Sequence, residues 1–168
     1  MNDPALYHEV VSSKKTTNLF IALAAVFLIL AAWRVIVTGL DTLTIVFVSI
    51  GCLFVFYVFN FRILEIDLTA QALKLKFGLF HWTIPLSNIA SCQHDDDLPW
   101  LMKNGGAGIH FMLIRNRYRA SFNFLEYPRV VVALKKPAGP VVDLSFTTRH
   151  PDELIQQVEA EITANYRS

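Results

Sequence analysis

Residues 92–108, CQHDDDLPWLMKNGGAG, concentrate the side chains best suited to chemistry. One imidazole, His94, precedes three carboxylates, Asp95, Asp96 and Asp97. Imidazole and carboxylate groups suit Mn, Zn or Mg. A divalent-cation site, with a metal-dependent activity around residues 94–97, is therefore the first chemistry to weigh. In an extended segment, however, neighbouring side chains point to opposite sides. His94 and Asp96 then face one way, Asp95 and Asp97 the other, and a full ligand set needs residues from elsewhere. The alternate-position acids and fixed glycine of an EF-hand are missing. The expectation is a solvated acidic strand end, with no metal and no cofactor.

Other reactive side chains form no recognisable pattern. NGGAG, residues 104–108, is neither a GxxxxGK[ST] loop nor the opening of a helix, and reads as a turn. His81 and His110 fall in strand-like runs with no nucleophile or carboxylate at a catalytic spacing. Ser121, Ser145, Cys52 and Cys92 lack an elbow or triad signature. No catalytic residue is expected, and the protein is not read as an enzyme. Two contact segments stand out instead. Leu98, Trp100, Leu101 and Met102 give an apolar, tryptophan-bearing loop, suited to a headgroup layer or a partner surface. Arg115, Arg117 and Arg119 sit at a hairpin tip. They are read as solvated, or as a contact with anionic lipid, where each basic residue contributes on the order of 1 kcal/mol.

The composition explains why a membrane enters this reading. Of the 168 residues, 54% are hydrophobic and only 17% charged, more apolar than an ordinary soluble domain. The excess is concentrated in residues 19–61, whose only charges are Arg34 and Asp41. Two apolar runs, residues 19–38 and 43–61, are each about the 20 residues that span a bilayer core. TGLDT joins them as a turn. Arg34, near the outer end, reads as a residue that snorkels to the headgroups. The first run is too long for a cleaved signal peptide and lacks a small-residue cleavage site. Lys14 and Lys15 precede the hairpin and Arg62 follows it, so the positive-inside rule puts both termini in the cytoplasm. The net charge of +1 and the lack of a basic stripe argue against nucleic acid. Two cysteines with no CxxC spacing support no disulfide framework.

After Arg62 the hydrophobic period changes to two. ILEIDL, ALKLKF, a stretch FHWTIPLSNIASCQ broken near Pro85, IHFMLI, YRASFNF, RVVVALK and VVDLSF read as about seven short strands, mostly in sequential hairpins. His150-Pro151-Asp152-Glu153 opens a helix. Its apolar stripe is Leu154, Ile155, Val158 and Ile162. The organisation expected is a short cytoplasmic lead (residues 1–18) without clear structure, a transmembrane helical hairpin (19–61) and a sheet domain (62–168). The fold class is an α+β membrane protein.

Seven antiparallel strands closed by a C-terminal helix resemble the pleckstrin-homology plan. LKLKFGLFHWTIPLSNIA (residues 73–90) is similar to the second and third strands of bacterial PH-like domains in small membrane-anchored proteins. LSFTTRHPDELIQQV (residues 144–158) resembles their last strand and helix start. The resemblance implies a PH-like bent sheet or barrel, capped by one helix and held at the bacterial inner membrane. It covers residues 61–162. Eukaryotic PH domains that bind inositides carry basic residues around the first hairpin loop. Here that loop is TAQA, so inositide recognition is not expected. The expected function is a binding module that recruits or scaffolds a protein partner at the membrane, with lipid sensing through residues 98–102 as the alternative. The expected partners are the bilayer, a protein not identified by the sequence and, as an open option, a second copy of the chain.

Overall fold

The computed structural model describes residues 5–97 and 107–167, with side chains to residue 164. The chain begins with a strand, β1 (Tyr7–Ser12), where the sequence predicted a lead without structure. Its alternation is real but disguised. Tyr7, Glu9 and Val11 point inward and are buried, so one inward position is a carboxylate. β1 pairs antiparallel with β2 (Ile63–Leu68), from Tyr7 opposite Leu68 to Ser12 opposite Ile63. Two helices lie between these paired strands: α1 (Lys14–Thr38) and α2 (Thr42–Asn60). The hairpin is thus an insertion into the sheet domain, and the domain is assembled from both sides of it. The predicted boundary at residue 62 is corrected accordingly.

Both helices are long and apolar enough to cross a membrane. α1 starts a turn earlier than its apolar run, because Ser13 caps it by accepting the Thr16 backbone N–H at 2.9 Å. Asp41 caps α2 the same way, accepting from Thr44 N–H at 2.8 Å. Arg34 pairs with Asp41, tying the end of α1 to the start of α2. Between the helices, Phe20, Phe27, Phe47, Phe54 and Tyr57 form a ladder of ring contacts. Gly51 lets the helices close up: a Cβ there would lie 2.7 Å from Leu28 Cδ2. Small residues at such crossings permit the close backbone approach on which packing in lipid depends. The outer faces are apolar and bare, with Ile29, Ile36, Val37, Ile45 and Phe59 all exposed.

β2 continues into β3 (Ala72–Phe77) and β4 (Phe80–Pro85), completing a four-stranded antiparallel sheet in the order β1-β2-β3-β4. Pro85 ends this sheet. A short 3-10 turn (Leu86–Asn88) then carries the chain to β5 (Ile89–His94) in a second sheet. That sheet adds β6 (Gly108–Ile114), β7 (Arg117–Asn123), β8 (Arg129–Ala138) and β9 (Val141–Thr147), in the order β5-β8-β9-β7-β6. The described residues therefore hold nine strands rather than about seven. The extra two are β1 and the division of FHWTIPLSNIASCQ into β4 and β5. The second sheet is also not a run of sequential hairpins, because β7 and β9 pair in parallel.

One apolar core fills the space between the sheets. Leu64, Ile66, Leu75 and Phe77 enter it from the first sheet, and Phe122, Val130, Val132, Leu144 and Phe146 from the second. The last helix, α3 (Pro151–Arg167), closes it with Leu154, Val158 and Ile162, and Ile155 packs at its edge, as the apolar stripe predicted. Burying each such side chain contributes about 1.5–3 kcal/mol.

Candidate functional site

The other face of the second sheet is polar, and it gathers most of the sequence-predicted site residues. Their placement begins at the turn between β6 and β7. Arg115 and Asn116 both have positive φ, 49° and 61°, the conformation of a two-residue hairpin turn that matches strand twist. This fixes Ile114 opposite Arg117 and Met112 opposite Arg119. The parallel β7–β9 register then sets Arg119 beside Asp143.

Every arginine of the tip meets a carboxylate. Arg117 donates to both oxygens of Asp143, at 2.8 Å from Nε and 2.6 Å from Nη2, a bidentate geometry. These bonds raise the Arg117 guanidinium above its ordinary value. Arg119 donates to Asp95, and its other terminal nitrogen is 3.8 Å from Asp143. Asp95 also accepts from Ser145 Oγ at 2.6 Å. Arg115 pairs with Asp97 at 2.7 Å. The side chains of Asp95 (0% exposed) and Arg119 (7%) are sealed, whereas Arg117 (51%) and Arg115 (73%) reach solvent. Between them lies a depression of about 270 Å³ that also touches Gln93.

Two expectations are corrected here. The acidic strand end is not uniformly solvated: Asp95 is a buried anion held by an arginine and a serine. The arginines are not a free basic tip either. Arg119 is interior and committed to Asp95, so it is removed from any lipid contact, and Arg117 is bound to Asp143. The acidic run and the arginine tip meet on one face, although the seventeen residues 98–114 separate them in sequence. Chemically the group is a clamp between the end of β5 and strands β7 and β9. Ser145 Oγ donates to the Asp95 carboxylate that Arg119 also holds.

The rest of the HDDD run divides as alternation requires. His94 points away from Asp95 and meets Asp152 at the start of α3, with Nε2 2.8 Å from Oδ1. Asp96 is exposed. Among the described residues, no three His, Cys, Asp or Glu side chains converge as a metal site. The apolar segment with Leu98, Trp100, Leu101 and Met102 lies outside the described residues.

The polar face continues along β7 and β9 with Ser121, Asn123 and Thr147, all 0% exposed. His110, across from Ser121, is held below its ordinary value, chiefly by burial and also by the charge of Arg129. Three atoms on this face have no hydrogen-bond partner among the described residues: His110 Nε2, Arg119 Nε and Asn123 Oδ1. Cys92, on the core side, is held as the protonated thiol. Burial and the nearby Glu159 push its thiol up to about 12, and Glu159 accepts the Cys92 backbone N–H at 2.7 Å.

A second polar node was hidden by the unrecognised β1. Glu9 accepts from Tyr7 Oη at 2.7 Å, Thr148 Oγ1 at 2.5 Å and the Arg149 backbone N–H at 2.9 Å. Tyr7 is raised above its ordinary value, mainly by burial. The node fastens the first strand to the segment that leads into α3.

The residues missed in sequence are Glu9 and Asp143. Asp143 left a signal: it shares the parity of Ser145 and Thr147 in β9, and Arg117, Arg119, Ser121 and Asn123 share one parity in β7. Two polar half-strands of opposite charge are natural neighbours. No family model matches the chain, and no curated protein or solved structure matches it.

Proposed function

We propose that the protein is a membrane-anchored, PH-like binding module of the bacterial inner membrane, with both termini in the cytoplasm, which recruits or scaffolds a protein partner without catalysis. The observation that carries this reading is the insertion of α1–α2 between paired strands. Ser12 runs into α1 through Ser13 alone, and α2 runs into β2 through Phe61 and Arg62. The junction is braced: Leu125 N–H donates to Thr16 Oγ1 at 3.3 Å, Lys15 N–H to Glu126 at 2.7 Å, and Tyr127 Oη to the Ser12 carbonyl at 3.0 Å. A catalytic domain can float on a tether. A domain fixed to its anchor at two points presents one constant face at one height, which suits recruitment. The four-strand meander, the second sheet and the closing helix support the PH-like reading, and the parallel β7–β9 pair departs from that plan.

The exposed ends of Arg115 and Arg117 and the depression beside them are the polar contact this module offers a partner. Photo-crosslinkers at Leu113, Tyr118 and Lys74 in the full-length chain, expressed in bacterial membranes, test the reading. A discrete protein adduct whose yield drops with Arg115→Glu supports it. Release of the chain by alkaline washing of membranes overturns the anchor, and absence of a discrete adduct at all three positions overturns recruitment.

A further inference from the structure

A large apolar opening lies where α2 meets the sheet domain. Among the described residues β4 is an edge strand of one sheet and β6 an edge strand of the other, and residues of both line this opening. The end of α2 runs past this gap. The result is a crevice of about 420 Å³, within the roughly 300–1,000 Å³ of sites that take small ligands. Leu53, Phe56 and Tyr57 of α2 form one wall, and Phe80, Trp82 and Phe111 contribute to the others. Phe122 is at the floor, in an edge-to-face contact with Trp82 at 6.2 Å between centroids.

We infer that this crevice holds one acyl chain of a phospholipid drawn from the surrounding bilayer. The inference rests on the membrane reading above and goes beyond it. Continuity identifies the occupant. Leu53 (47% exposed) and Phe56 (41%) belong both to the crevice wall and to the outer surface of α2, so the slot opens onto the same environment as the helix. Phe111 (61%) and Leu79 (77%) extend that apolar surface onto the domain, where water would otherwise meet it. Exposed apolar patches of this kind mark membrane or ligand contacts. The lining is mainly aromatic and aliphatic, and His81, Tyr57 and Trp82 are its side chains with polar atoms. A straight, featureless hydrocarbon needs no hydrogen bonds from such walls, and its polar head is left at the mouth beside His81 and the headgroup layer. The chain would lie beside two strands, β4 and β6, that are sheet edges among the described residues, and would shield them from pairing with another protein.

The test uses the full-length protein. Trp33→Phe with Trp100→Phe leaves Trp82 as the sole fluorophore, and Trp82→Phe with Trp100→Phe leaves Trp33 in α1. Each is reconstituted in vesicles of phosphatidylcholine brominated along the acyl chain. The expected result is quenching of both tryptophans, with Trp82 quenching lost when Leu53→Phe and Ile109→Phe fill the slot and Trp33 quenching unchanged. Phe111→Asp, at an exposed position, puts a charge at the mouth and should give the same loss if the filled variant does not fold. Native mass spectrometry in mild detergent should find a phospholipid on the parent chain and none on either variant. Quenching of Trp33 without Trp82 overturns the inference and leaves the membrane reading standing. Trp33 unquenched overturns the membrane reading itself. Trp82 quenching that survives both variants, or a lipid-free dimer with the crevice at its interface, also overturns the inference.

Discussion

The Cβ that Gly78 lacks would lie 2.0 Å from the backbone oxygen of Asn60. Asn60 ends α2, and its side-chain Oδ1 accepts the N–H of Leu79, the next residue of the β3–β4 turn, at 2.8 Å. The turn is therefore seated directly on the end of the helix, where it helps set the angle between the helical hairpin and the sheet domain. Gly78 has φ +62°, as does Gly139, which has nothing within 4 Å of its missing Cβ. The pair separates strain from collision. Gly139→Ala should cost about 1–2 kcal/mol from the left-handed backbone alone. Gly78→Ala should cost about 1–3 kcal/mol more through overpacking. Thermal unfolding of both variants in detergent reads the difference, and equal losses would mean that the contact with Asn60 does not matter.

Arg119→Met should destabilise the domain by about 3–5 kcal/mol, because it leaves the Asp95 charge buried without its guanidinium. Adding Asp95→Asn removes that charge and should recover a substantial part of the loss. Arg115→Met, at an exposed pair, should change stability by no more than about 1 kcal/mol. Unfolding midpoints of the three variants check the ranking.

Ser12 and Ile63 are opposite each other at the end of the β1–β2 ladder, so a short turn can replace residues 13–62 without changing the register. A chain rebuilt this way, with an Asn-Gly turn of the type that closes hairpins, should be a soluble, folded domain. A fragment starting at residue 62 should not, since it lacks Val11 and Tyr7 from the core and Glu9 from its node. Size-exclusion chromatography and near-ultraviolet circular dichroism distinguish them. A well-folded fragment lacking β1 would show that the first strand is dispensable.

His110 is held below its ordinary value near 6.5, chiefly by burial. In the unfolded chain it takes up a proton as pH drops through that value, while the folded chain resists protonation. Its contribution is therefore fully present above about pH 6.5 and is lost as pH falls from there towards the lowered folded value. The melting temperature should drop between pH 7.5 and 5.5, and His110→Gln should flatten that part of the curve. An unchanged slope in the variant would assign the pH dependence to other groups.

Cys92 is buried with its thiol raised to about 12, whereas Cys52 lies exposed on α2. A thiol in that state is almost wholly protonated at pH 8 and unreactive. In detergent-free membranes, a polar maleimide should label neither residue: Cys92 for lack of thiolate and access, Cys52 because lipid covers it. Denaturation should expose both. Rapid labelling of Cys52 in intact membranes would contradict the bilayer placement of α2.

Much of this architecture is written locally. The uninterrupted apolar runs fix two long helices, since no other structure satisfies the backbone of such a segment so economically, and the stripe Leu154, Val158, Ile162 fixes the closing helix and its buried face. Alternation in ILEIDL and ALKLKF fixes β2, β3 and the orientation of each. β1 escaped for a definite reason: an inward Glu9 breaks the apolar alternation, and its favourable environment is supplied by Thr148 and Arg149, about 140 residues away. Strand order is a further case. β6, β7, β8 and β9 are each recognisable alone, but the parallel β7–β9 pairing depends on how the β6–β7 and β8–β9 hairpins pack side by side. That pairing decides the fate of the arginines. Local patterning is enough to gather Arg115, Arg117 and Arg119 at a hairpin and to end a strand on three aspartates. The burial of Arg119 against Asp95, with Arg115 left in solvent, comes from the packing of distant strands, because a charge's environment is set by which strands become neighbours, and local alternation carries no information about that.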